Sequence, residues 1–332
     1  MKKRIKSILW FFLSMTIVIT LLSSQAFAYS DNAQNLTDKQ LASLKSFNVS
    51  ASDIEKVTPL YHSDETVIAY CVEGKNSFTI IDLNGMVIVQ NMSCNSPFYD
   101  MDTRVYIKGP MDFYVKNGRS FTNVMDNKEV VTSEDFSDNI IVSVQRSLRG
   151  SETESSNVKA INTKYLPYTP RSYFYNPTGI CMGTAGATLL AYYKDHINSN
   201  IASSRHINSD GVGLTILLAE GSYYRYTTGS AASRAAQVLN WYMTTHGTTT
   251  YTASYTSTNI FSTVMTKINA NRPLQAHFNN TSINHSVMVR GYRQDTSNSA
   301  NNGIYCTYGW NSDYMNVFVN ANYIYGLIWI NA

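Results

Sequence analysis

The chain has 332 residues, a formal net charge of +3 and only 15% charged side chains, a length that accommodates two domains once a leader is removed. The slight basic excess offers no nucleic-acid surface, and part of it, Lys2, Lys3, Arg4 and Lys6, sits at the extreme N-terminus. Four cysteines without a close-spaced pair do not build a thiolate metal site. No HExxH and no phosphate-binding glycine loop occurs, and Gly211 to Gly213 lacks the rest of a dinucleotide fingerprint, so no cofactor is expected.

In chain order, the basic start leads into an apolar run from Ile8 to Leu22 and then Ala26-Phe27-Ala28. This is the pattern of a secretory signal peptide, residues 1–28, and the run is shorter than the ~20 residues of a spanning helix. A secreted protein with no membrane span after cleavage is expected; its wealth of Tyr, Ser, Thr and Asn suits an exported surface. Thr37 to Ser50 predicts a short amphipathic helix, with Leu41, Leu44 and Phe47 at helical spacing and Thr37 as cap. From about 65 to 110, TVIAYCVEG, SFTIIDLNGMVIVQN and TRVYIKG predict an antiparallel sheet, with Asn84-Gly85 as a hairpin turn. In an oxidising exterior Cys71 and Cys94 are left as a possible pair, and Cys306 reads as a core residue. Ser147 to Lys164 is polar and aperiodic. It divides a β-rich domain, residues 29–150, from residues 165–332 through a linker at 151–164.

The C-terminal half begins with a Pro-interrupted stretch and then CMGTAGATLLAYYKDH, a helix apolar around most of its circumference. SRAAQVLNWYMTTHG and IFSTVMTKINAN predict two more helices, and LQAHF, HSVMVRGY, IYCTYGW and MNVFVN predict strands. Helices followed by an antiparallel sheet give an α+β class. Loops around Asn208 to Thr228 and Thr248 to Thr258 are expected to wall a binding cleft.

Cys181 opens the most apolar helix, where unpaired N–H groups and the positive end of the helix dipole favour a thiolate. Its partner is sought among the histidines. His285 opens a strand about 100 residues later, and alternation groups it with Val287 and Val289 on the face expected to meet the Cys181 helix. A neutral imidazole there takes the thiol proton and returns it to a leaving amine. His277, on the neighbouring strand, is the rival base; His62, His196, His206 and His246 are set aside as polar or helix-terminal residues.

Taken together, NPTGICMGTAGATLLAYY, the run from Asn271-Arg272-Pro273-Leu274 to Asn284-His285-Ser286-Val287, and Tyr308-Gly309-Trp310-Asn311-Ser312-Asp313-Tyr314 resemble the papain-like cysteine peptidases. The streptopain-type and double-glycine-leader-type bacterial enzymes are the nearest in pattern. The resemblance covers roughly residues 165 to 332. It implies a fold in which a buried helix carrying the nucleophile packs on an antiparallel sheet carrying the base, with Cys181 and His285 in those roles. It also implies that the β-rich domain is a propeptide and a possible inhibitor of the enzyme, and that the partner is a peptide or protein substrate.

Two positions depart from the family pattern. No Gln precedes the cysteine to bind the oxyanion, and Asn176 is the one amide at a suitable distance; it serves there or as a turn residue before Pro177. The slot of the residue that orients the histidine holds Thr307, with Asn311 as the preferred alternative and Trp310 as a shield. A cell-wall Cys-His amidase or a non-catalytic binding module of the same fold stays open as an alternative.

Overall fold

The computed structural model describes residues 33, 35–125, 130–132, 141–142, 144–145, 160–171, 173, 180–207, 210–221, 230–247, 250–280 and 283–331, and for 130–131, 279–280 and 283–284 the backbone alone. The expected signal peptide and Asn176 lie outside them. Among the described residues no helix is long and apolar enough to cross a membrane.

Helix α1 (Asp38–Ser46) starts where its cap chemistry dictates. The Thr37 hydroxyl accepts the Gln40 N–H, and Gln40 Oε1 accepts the Thr37 N–H at 2.8 Å, a reciprocal arrangement worth about 1 kcal/mol. Gln40 Nε2 then donates to the Asp82 carbonyl and seats the helix on the sheet. Strands β1 (Lys56–Tyr61), β2 (Val67–Gly74), β3 (Ser77–Asp82) and β4 (Val87–Asn91) form a meander. The β3–β4 turn is the predicted one: Gly85 adopts φ +82°, and Asp82 Oδ1 accepts the N–H groups of Asn84 and Met86. The predicted run TRVYIKG supplies β5 (Val105–Gly109), which pairs with β1 in parallel, and the sheet reaches further than the sequence predicts, through β6 (Asp112–Asn117), β7 (Ser120–Asn123) and β8 (Val130–Thr132).

Cys71 and Cys94 are not bridged. Cys71 lies in β2 and Cys94 just past β4, with β3 between those strands. Cys71 donates instead to Glu73, and Asn91 Nδ2 donates to the Cys94 sulfur. Cys306 is fully buried, as expected.

The polar stretch read as a linker ends in a strand, β9 (Ile161–Tyr165). Then follow α2 (Cys181–His196), α3 (Val212–Glu220), α4 (Ala231–His246), β10 (Thr252–Thr256), α5 (Ile260–Asn269), β11 (Leu274–Asn280), β12 (Ile283–Asp295), β13 (Gly303–Thr307), β14 (Val317–Asn320) and β15 (Ile324–Asn331). The region from Asn208 to Thr228 therefore holds a helix and that from Thr248 to Thr258 a strand, where loops are expected. The α3 sequence, VGLTILLAE, is too uniformly apolar to show helical periodicity.

The mixed α+β class is as read, but both halves contribute to one sheet, in the order β10, β15, β11, β12, β13, β14, β4, β3, β2, β1, β5, β6, β7, β8, with β9 added beside β12. The seam is the pairing of β14 with β4, Phe318 with Gln90 and Val319 with Val89. One core cluster spans it, uniting Ile80, Val89, Ile107 and Phe113 with Phe278, Val287, Tyr308 and Val317. Arg293 of β12 reinforces the seam from a buried position. It donates to the Asn301 and Ser46 carbonyls and stacks on Phe47, 3.8 Å from the ring centroid.

Candidate active site

Helix α2 is buried along most of its length, from Cys181 to Tyr193. Small residues on one side allow that. A Cβ on Gly183 would come within 2.5 Å of the Thr215 carbonyl of α3, so only glycine lets the two helices approach. Gln275 of β11 donates to the Met182 carbonyl and pins the first turn to the sheet.

The first turn ends against β12 where that strand has a free edge. Strand β11 covers one side of β12 from Ile283 to Val289, while β13 covers the other only from Met288 onward. Beyond Thr307 the chain leaves the sheet, turning at Gly309 with φ +82° and passing Thr184 of α2. The uncovered edge at Ser286 meets Cys181: the thiol is held by the backbone N–H groups of Ser286, Met182 and Cys181 and by the Ser286 hydroxyl. Burial nevertheless dominates and holds the thiol above its ordinary pKa of 9.0, with those donors pulling the other way. A recess with no room for a water molecule adjoins the sulfur, lined by Cys181, Thr184, Thr188, Ser286, Thr307 and Gly309 among others.

His285 stands next to this contact but on the other face of the strand. Register pairs Phe278 with His285 and His277 with Ser286, and paired residues share a face. The face turned to α2 therefore carries Gln275, His277 and Ser286. This corrects the expectation that His285, Val287 and Val289 meet the helix: those residues join the opposite core, where the imidazole stacks on Tyr308 at 4.3 Å and lies beside Phe278 and Trp310. Its Nε2 lies 3.1 Å from the Tyr308 carbonyl oxygen. A carbonyl only accepts, so Nε2 carries the hydrogen and Nδ1 is left as the basic nitrogen. Burial lowers the imidazole pKa to about 4 against this hydrogen bond, so the ring is neutral at pH 7.

The orienting group is thus a backbone carbonyl, which leaves no mark in a sequence. Neither expected side chain makes that contact. Asn311 Oδ1 accepts the Asp313 N–H and caps a short turn, and the Thr307 hydroxyl faces the Met315 carbonyl. Trp310 packs beside the imidazole, with ring centroids 5.9 Å apart, and against Tyr308. His277, the rival base, is buried with Nδ1 2.7 Å from the Ser286 hydroxyl. His196 stacks on Tyr168 at the far end of α2.

Residues 157–324 match the model of the Peptidase_C39 like family. The chain belongs to that family. Membership makes it a relative of cysteine peptidases and covers the helix that begins at Cys181, the strands of His277 and His285, and the turn of Tyr308. Among curated proteins none matches the chain. A Peptidase_C39 like chain needs a thiol and a base; Cys181 stands at the strand edge beside Ser286, and His285 is the next residue along that strand, on its opposite face. Ser286 is the residue that sequence reasoning passed over. Its only signal was its place beside His285 in NHSV.

Proposed function

We propose that the protein is a secreted cysteine peptidase of papain-like design, nearest to the streptopain-type and double-glycine-leader-type enzymes, made as a precursor, with Cys181 as nucleophile and His285 as general acid/base. The observation that carries this reading is the thiol at the start of α2, cradled by N–H groups at the strand edge beside a histidine whose tautomer exposes Nδ1. Nδ1 takes the thiol proton as sulfur attacks a peptide carbonyl. The oxyanion develops toward the Cys181 N–H, with Asn176 as its second donor, and the imidazolium then protonates the leaving amine. Water hydrolyses the thioester by the reverse sequence of proton transfers.

Support for the precursor comes from a contact between the N-terminal half and Tyr308 beside the site. The β5–β6 hairpin places Pro110 and Met111 at its tip. The Tyr308 hydroxyl donates to the Pro110 carbonyl at 2.9 Å, and Met111, buried, takes φ +61°. A non-glycine residue in that left-handed conformation is held there by its surroundings. The hairpin thus presses the tyrosine that stacks on His285. In this covered form both thiol and imidazole are kept uncharged by burial, as suits a silent enzyme.

The shared sheet and core favour a second reading of the N-terminal half, a permanent accessory part of the enzyme. Incubation of purified precursor with casein and a peptide library decides between them. Wild type is expected to cut itself between Ser147 and Ala160 and gain activity, while Cys181→Ala stays full length and inactive. Full activity of uncut wild type assigns the accessory role. Cleavage of cell-wall stem peptides alone assigns the amidase, and an unreactive Cys181 with no turnover assigns the binding module.

A further inference from the structure

We infer that the Ser286 hydroxyl, oriented by His277 of the neighbouring strand, is a positioning group for the Cys181 thiolate, so that the nucleophile is served from both faces of β12. This rests on the reading of Cys181 as nucleophile. Ser286 and His277 are 4% and 3% exposed, and their side chains are linked at 2.7 Å on the face turned to α2. Ser286 and Cys181 line the same recess.

The other hydroxyls on the recess wall are directed elsewhere. Thr184 donates to the Ile180 carbonyl, Thr188 to that of Thr184, and Thr307 to that of Met315. Ser286 is the wall hydroxyl aimed at sulfur and imidazole together. Among the described residues His277 Nε2 has no hydrogen-bond partner, and the ring's polar contact runs through Nδ1 to Ser286. The arrangement that leaves the least exposed penalty puts the hydrogen on Nδ1. A buried acceptor without a donor is tolerated better than a buried N–H without an acceptor. Nδ1–H then donates to Ser286 Oγ, and the Ser286 hydroxyl donates to sulfur. The charged and titratable groups around the pair are His285 on β12, Arg234 on α4 and, toward the thiol, Tyr308 beyond β13. Burial, His285 and Arg234 all oppose a cation at His277, whose pKa falls to about 3. At neutral pH its ring is therefore uncharged. It fixes the direction of a donor chain that ends on the nucleophile.

The test is the pH dependence of Cys181 alkylation by iodoacetamide in the full-length protein, read by mass spectrometry of the peptide containing Cys181. Ser286→Ala should slow alkylation at pH 7 about tenfold and move its midpoint up by about one pH unit. Ser286→Thr should restore both, and His277→Phe should reproduce the alanine effect while His277→Asn, which retains a donor, recovers most of it. Ser286→Ala removes a single oxygen, so it stays readable if His277→Phe does not fold. Midpoints within 0.2 pH unit of wild type in Ser286→Ala (about the resolution of such a titration) overturn the inference. Loss of turnover in His277→Asn with an unchanged midpoint overturns it as well, by making His277 the base. Failure of the nucleophile reading is seen separately, as normal peptide turnover by Cys181→Ala.

Discussion

The two ends of β12 show one strand doing two jobs. Around Gly291 to Arg293 it is paired on both sides, by β9 and β13, and its charged side chain Arg293 is spent on the Ser46 and Asn301 carbonyls. Around His285 and Ser286 it is paired on one side only, and the open edge receives the thiol of Cys181. The same alternation of faces runs through both ends. What separates them is whether a neighbouring strand occupies the edge, since a covered N–H has no donor capacity left for a nucleophile. Chemistry settles where pairing stops, and architecture where it is complete.

Substitutions can break that division. The largest effect is expected for His285→Ala, which should lower peptide turnover by about two to four orders of magnitude with the melting temperature nearly unchanged. Comparable turnover in the variant would show that the open end is not the catalytic one. At the other end, Arg293→Ala removes the guanidinium donor from the buried Asn301 carbonyl and the half-buried Ser46 carbonyl and removes the stack on Phe47. It should cost about 3 kcal/mol in denaturant unfolding while the folded fraction keeps its turnover number. A large fall in turnover with intact stability would erase the distinction between the ends.

A third measurement sharpens it through pH. His277 has a folded pKa of about 3 against an ordinary 6.5. Its contribution to stability is complete above 6.5 and is lost as pH falls toward 3, because only the unfolded chain takes up the proton. Between pH 7 and 5 this amounts to about 2 kcal/mol. The loss over that window should be smaller by that much in His277→Gln, measured by urea unfolding. Equal losses would mean that another group titrates. The smallest effects are expected for Asn311→Ala and Thr307→Val. If the Tyr308 carbonyl orients His285, each changes turnover by less than about twofold. A hundredfold fall in either would return the orienting role to a side chain.

The sequence by itself determined a good deal: the capped start of α1 at Thr37, the Asn84-Gly85 turn, the apolar helix headed by Cys181, the strand of His285, and the α+β class. These are local matters, decided by hydrogen-bond partners within four residues and by hydrophobic period. Tertiary structure alone decided the rest. It set the pairing of β14 with β4 that fuses the two halves, because strand partners far apart in sequence are chosen by burial and edge availability. It left Cys71 and Cys94 as thiols with other partners, Glu73 for the one and Asn91 for the other. It also turned Ser286 rather than His285 toward α2, since a strand offers both faces and only the packed helix selects one.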